Sequence, residues 1–291
     1  MAPPPGLSEP RFLAPSAEAV LARAGGENFP VALRLLGSER REHLLAVYGY
    51  ARLVDELGDS APGDRDAALD WAERELDAAL AGRAGHPLMA RLGATAAACG
   101  IGRGPLARLI EANRVDQRVG RYESWEQLRS YCALSADPVG ELVLAVFGAA
   151  TPANIALSDS ICTALQLIEH CQDVAEDLAA GRVYLPVEDM SRFGCEEEDL
   201  RGEHAGAPLR AVLAFEADRA HRLLDEGAPL VGRLRGSARV AVAAFAAGGR
   251  AALGALARAR YDVLPGAPVA SRPRRLAALA AALAAAGLHR R

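Results

Sequence analysis

Tyr48–Asp59 reads Y-G-Y-A-R-L-V-D-E-L-G-D, and Gln166–Asp177 reads Q-L-I-E-H-C-Q-D-V-A-E-D. In the first, Tyr48, Arg52, Asp55 and Asp59 stand at offsets 0, 4, 7 and 11, and in the second Gln166, His170, Asp173 and Asp177 repeat those offsets. At about 100° per residue the four positions stay within roughly 60° of one another, so each set forms one polar stripe on an α-helix. Their neighbours Leu44, Leu45, Val47, Leu53 and Val54, and Leu165, Leu167, Ile168 and Val174, are apolar. Two acidic stripes on otherwise apolar helices are costly to bury without cations between them. Facing each other across a cavity, they predict a site for divalent metal ions and for the phosphates those ions bind. Mg²⁺ suits the pattern, because it takes few protein carboxylates and shares phosphate oxygens. A diphosphate clamped in this way becomes a leaving group, and the surrounding apolar residues suit a long isoprenoid chain.

Each half has a plainer reading. A lone Asp-x-x-x-Asp on a helix is commonly a solvated face; two with matching upstream offsets are not so easily dismissed. Arg52 serves either as a salt-bridge partner of Asp55 or Glu56 or as a diphosphate contact. His170 reads as a packed or hydrogen-bonded histidine rather than a ligand. Tyr48 is either core or a ring that stabilises a cation.

Helical periodicity runs through the rest of the chain. The spacing predicts a short helix over 16–25, a helix or turn near Asn28–Leu36 and a long helix from Ser38 to about Leu57. Asp64–Leu80 follows, with Leu69, Ala72, Leu76 and Leu80 on one face. Pro87–Cys99 and Pro105–Val119 begin with proline in the first turn, where its missing N–H does no harm. Ser124–Phe147 opens on a capping box of Ser124 and Gln127 and should kink at Asp137-Pro138. Pro152 precedes one helix to about Ala179, ended by Gly181. Residues 182–205 read as irregular and acidic; helices follow at 207–226, 229–259 (broken around Gly248-Gly249) and 272–287. With no alternating strand, no repeat and no dividing linker, the expectation is one all-α domain over residues 16–291 behind a disordered tail, residues 1–15.

Composition sets the outer bounds. Of 291 residues 51% are hydrophobic but only 5% aromatic, a balance that favours helices. A net charge of −4 offers no basic face for nucleic acid. No lysine occurs; all basic residues are arginine, which follows from GC-rich coding rather than from function. Five cysteines without a C-x-x-C fit a reducing cytoplasm. Leu276–Leu288, between arginines, is too short to span a bilayer; it reads as a terminal packing helix, with a membrane-surface position as the alternative.

These segments resemble the squalene/phytoene synthase family. Its two aspartate-rich regions are similar to Tyr48–Asp59 and Gln166–Pro186, the latter ending in the characteristic G-R-V-Y-L-P, and Tyr131–Gly140 (Y-C-A-L-S-A-D-P-V-G) resembles its kinked central helix. The likeness covers roughly Ala24 to Tyr261. It implies a class I isoprenoid synthase helical bundle around a central cavity, an isoprenoid diphosphate substrate and Mg²⁺ carried by Asp55, Asp59, Asp173 and Asp177. It implies phosphate contacts from Arg52 and Arg182, and a reaction cavity lined by Tyr48, Phe29, Tyr131, Gln166 and Tyr184. Two stretches, Glu27–Ala32 and Ser135–Gly140, resemble the bacterial hopanoid-pathway branch, whose reaction turns presqualene diphosphate into hydroxysqualene by ionisation, rearrangement and capture by water. Head-to-head condensation of two farnesyl diphosphates is the alternative within the fold, and a non-catalytic assembly role the alternative outside it. An apolar product gives a reason for peripheral contact with the inner face of the membrane, and partner enzymes of squalene and hopanoid synthesis are the expected company. Glu169 departs from the pattern, standing where relatives usually have Asn; it is an extra ligand, a base directing the captured water, or a mark of altered activity.

Overall fold

The computed structural model describes residues 15–22, 37–61 and 63–288. The expected disordered tail apart from Pro15, the segment near Asn28–Leu36 and the candidate Phe29 lie outside the described residues. Regular structure among those described is helical throughout, relieved only by an isolated parallel bridge between Arg121 and Val183. The chain falls into two compact units, Met1–Gln117 and Arg118–Arg291.

In the first unit α1 (Ala17–Ala22), α3 (Arg65–Leu80), α4 (Pro87–Cys99) and α5 (Arg103–Asp116) all pack against α2 (Ser38–Asp59). Helix α2 buries Leu44, Val47, Tyr50, Leu53, Val54 and Leu57 at the three- and four-residue spacing of an inward stripe, and each leucine so buried contributes about 2 kcal/mol. Tyr50 is the fixed point of the Y-G-Y sequence: it is fully buried and its hydroxyl donates to the Leu106 carbonyl at 2.8 Å. Asp64 caps α3 by accepting from the Ala67 N–H at 3.0 Å. Leu69, Ala72 and Leu76 are buried as expected, but Leu80, the last residue of the helix, is 36% exposed.

The second unit is built on α8 (Pro152–Gln172), which packs against α6 (Trp125–Ser135), α7 (Asp137–Val146), α11 (Ala207–Gly227), α12 (Pro229–Arg233) and α13 (Gly236–Arg258). The expected kink separates α6 from α7 at Ala136. It is locked by buried Asp137, whose carboxylate takes Arg129 on one oxygen and the Thr163 hydroxyl on the other, each at 2.9 Å. The capping box is only half formed: Ser124 accepts from the Gln127 N–H, but the Gln127 side chain accepts from Glu123 instead of Ser124.

Three boundaries differ from expectation. The helix expected over 152–179 breaks at Asp173, whose ψ of 19° separates α8 from α9 (Val174–Ala179). The segment 182–205 is less irregular than its composition suggests, containing α10 (Val187–Arg192) and a 3₁₀ turn over Glu197–Arg201. The break expected at Gly248-Gly249 falls instead at Leu234-Arg235, ahead of Gly236 with its φ of +54°. Gly249 stays helical because its missing side chain lets Leu165 and Leu224 close in. Helix α14 (Arg272–Leu288) completes the unit against α12 and α13.

Two of the close approaches at glycine predict different costs. A Cβ on Gly93 would overlap the Ala79 carbonyl of α3, which is backbone and cannot turn aside; Gly93→Ala should lower unfolding free energy by about 1–3 kcal/mol. Gly249→Ala meets only side-chain ends that can rotate and gains ~1 kcal/mol of helix propensity, so its net effect should stay within about 1 kcal/mol. Urea denaturation of both variants checks this, and equal losses would contradict it.

Candidate active site

Tyr48, Arg52, Asp55 and Asp59 follow one another down α2 as expected. Tyr48, Arg52 and Asp55 are half-buried and Asp59 is exposed. The Asp55 carboxyl accepts from the Asn113 side-chain amide on α5 at 3.3 Å, and that amide also donates to the Leu109 carbonyl. The approach is close because Gly58 leaves its space to Asn113: a Cβ there would overlap the Asn113 side chain. Gln117 closes the same corner by donating to the Gly58 and Asn113 carbonyls at 2.9 and 3.1 Å. Burial drives the Asp55 pKa up to about 6; Asn113 and Arg52 oppose the rise, while Asp59 and Asp116 add to it. The Arg52 Nε is buried without a hydrogen-bond partner among the described residues, a donor whose chemistry matches an anion.

The second set lies wholly in the other unit. Gln166 donates from Nε2 to His170 Nε2 at 3.3 Å in the tautomer that protonates Nδ1, and Nδ1 lies 3.8 Å from the Asp177 carboxylate. His170 is therefore a packed, hydrogen-bonded residue: it is buried, and its ring stacks on Tyr184 with centroids 3.9 Å apart. Asp173 sits at the helix break, where burial first, then Glu169, Asp177 and Glu176, raise its pKa to about 6. Glu169 is exposed. Its charge acts on Asp173 and adds to the rise in that carboxyl's pKa.

The G-R-V-Y-L-P tail is legible as local structure. Gly181, with φ +82°, ends α9 by donating to the Leu178 carbonyl, and the Arg182 N–H donates to that of Asp177 at 2.8 Å; this paired closure needs a left-handed residue at glycine's position. Val183 and Val187 then donate to the Gly120 and Tyr122 carbonyls, each at 2.9 Å. The pairing brings Tyr184, Tyr131 and Tyr122 together, with Tyr184 5.5 Å from Tyr131 and 5.7 Å from Tyr122 between centroids. Arg182 is half-buried beside this turn. Sequence reasoning missed Tyr122, Asn113 and Asp116. The polar run Asn113, Asp116, Gln117 at helical spacing was the available signal for the latter two; nothing local marks Tyr122.

Among the described residues no three His, Cys, Asp or Glu side chains converge on a metal site by themselves. The donor set still suits Mg²⁺: hard carboxylate oxygens, few per helix, two of them held where ionisation is opposed. A divalent cation would relieve that opposition, and phosphate oxygens would complete its shell.

The chain matches the squalene/phytoene synthase family over residues 22–284. It belongs to that family. A hydroxysqualene synthase of Rhodopseudomonas palustris is 34% identical over 211 residues, which is 72% of each chain. The crystal structure of squalene synthase HpnC from Alicyclobacillus acidocaldarius superposes with a TM-score of 0.79 at 43% identity, covering 84% of this chain and 94% of that one. A dehydrosqualene synthase superposes with a TM-score of 0.81 at 25% identity, covering 92% and 94%. The fold is therefore that of an all-α isoprenoid synthase, and the chain is an isoprenoid diphosphate enzyme of the squalene/phytoene synthase type.

The raised carboxyl pKa values predict a pH-dependent stability in metal-free protein. A folded-state value near 6 lies above the ordinary 3.8, so the proton is held more tightly in the folded chain. That contribution is full below about 3.8 and is lost as pH rises through about 6. Asp173→Asn should raise Tm at pH 7.5 by about 2–4 °C, the size of a solvent-screened ~1 kcal/mol effect, and should leave Tm unchanged at pH 3.5. Thermal melts in chelator check it; an equal difference at both pH values would contradict the assignment.

Proposed function

We propose that this enzyme converts presqualene diphosphate to hydroxysqualene and diphosphate with Mg²⁺. The observation that carries the metal half is that the third position of each stripe, Asp55 and Asp173, has its pKa raised by burial to about 6. Two carboxyls in corresponding places, both opposed as free anions, are repaired by the same ligand. Bound Mg²⁺ would neutralise the departing diphosphate. Asp55, Asp59, Asp173 and Asp177 would hold the ions, while Arg52 and Arg182 would orient phosphate oxygens.

The organic half rests on the aromatic cluster and the relatives. Tyr131, Tyr184 and Tyr122 offer π faces that stabilise a cation without attacking it, and Gln166 and Tyr131 supply the polar groups that place one water while bulk solvent is excluded. The similarity to hydroxysqualene synthases supports water capture as the last step. The likeness to a dehydrosqualene synthase supports a second reading, condensation of two farnesyl diphosphates.

Incubation with presqualene diphosphate and Mg²⁺ in ¹⁸O-labelled water should give hydroxysqualene carrying one solvent oxygen, identified by mass spectrometry. Turnover of farnesyl diphosphate with no reaction of presqualene diphosphate would establish the second reading instead. Asp55→Ala and Asp173→Ala should each lower diphosphate release by about 100-fold or more at saturating Mg²⁺; near-normal release would remove them from the metal site. Glu169→Gln should raise the Mg²⁺ concentration for half-maximal release several-fold with the alcohol fraction unchanged. A shift toward hydrocarbon products would return Glu169 to the role of a base.

A further inference from the structure

Three large apolar side chains are exposed among the described residues, and two of them, Val269 at 72% and Leu276 at 64%, lie close together in the chain around Arg272, Arg274 and Arg275. The reverse side of this segment is fixed. Helix α14 lies on α12 and α13, Ala278 packs into a cluster of Ala251, Ala255 and Ala270, and the Arg275 Nε donates to the Ala270 carbonyl at 3.1 Å. The outward residues that follow Leu276, including Ala277, Ala280, Ala281 and Ala284, carry no polar group.

Charge separates this segment from the rest of the chain. The whole sequence has a net charge of −4, yet Asp262 is its last acidic residue; every formal charge beyond it is an arginine. Arg272 and Arg274 are exposed at the start of α14, between Val269 and Leu276 in the sequence. An apolar projection framed by guanidinium groups matches an anionic bilayer, whose headgroups attract the arginines while its acyl boundary accepts Val269 and Leu276. A second copy is a poorer occupant, since a two-fold contact presents the same arginines on both sides.

We propose that Val269, Leu276, Arg272 and Arg274 form a docking surface for anionic lipid. Among the attachments of this segment, one leads toward the second aspartate set: Gln172, the residue before Asp173, donates from its side chain to the Pro268 carbonyl at 2.8 Å. Docking thus holds the second aspartate set near the phase into which an isoprenoid product partitions, a use that goes beyond the reaction proposed above. The binding itself requires neither substrate nor turnover.

The test is co-sedimentation of the full chain with vesicles of phosphatidylglycerol and phosphatidylcholine, against vesicles of phosphatidylcholine alone, without substrate. Wild type should bind the anionic vesicles and be released by high salt. Arg272→Ala and Arg274→Ala should each weaken the partition coefficient about fivefold, and together about 25-fold. Leu276→Ser should weaken it about tenfold, with circular dichroism and Tm unchanged because the side chain is exposed. Equal wild-type sedimentation with both vesicle types would overturn the proposal, as would variants that bind like wild type. Loss of a dimer in light scattering of Leu276→Ser, with vesicle binding intact, would assign the face to a second copy and equally overturn it. Failure of presqualene diphosphate turnover with vesicle binding intact would strike only at the reaction.

Discussion

Carboxylates crowded on helices that also build the core create an electrostatic tension, and local structure is arranged around it. In α2 the apolar side of the helix is committed to packing, so Asp55 has no freedom to turn fully to water. Its side-chain donor among the described residues, Asn113, has room to reach it because position 58 is glycine. In the second unit the same tension falls where the helix breaks, at Asp173, with Glu169, Glu176 and Asp177 all adding to it. A like-charge cluster of this kind is a standing cost in the metal-free chain. A divalent cation bound there would turn that cost into binding energy, which is the physical reason for relating these residues to phosphate chemistry.

The aromatic cluster of the second unit follows from a different constraint. Gly181 reverses the chain after α9, and the hydrogen bonds of Val183 and Val187 to the 120–122 segment fix where Tyr184 must go. Tyr122, Tyr131, Tyr184 and His170 then stack with little exposed surface. Hydrogen bonding of His170 to Gln166 holds its plane against Tyr184. A wall of this kind can face an electron-deficient hydrocarbon, and it is rigid because backbone pairing and not side-chain choice determines it.

Much of this was legible in the chain. The shared offsets placed Tyr48, Arg52, Asp55 and Asp59 on one helix because α2 is regular along its length. The same reasoning over-extended the second stripe: it assumed an unbroken helix, whereas the backbone leaves the helix at Asp173. Gly248-Gly249 misled for the opposite reason, since glycine in a helix is both a weak helix former and a licence for close approach, and in α13 packing prevailed. Asn113, Asp116 and Tyr122 escaped notice because their partners are distant in sequence. Leu80 shows the limit of facial periodicity, which gives an angle around a helix but not how far the covering layer extends.

The central proposal is that the aspartates of each set hold Mg²⁺ for a diphosphate. Titration calorimetry of the full chain with inorganic pyrophosphate, in Mg²⁺ and in chelator, tests it without any organic chemistry. Binding should require Mg²⁺ and should fall sharply in Asp55→Asn and in Asp173→Asn alike. Pyrophosphate binding that survives in either variant, or that proceeds equally in chelator, would contradict the account.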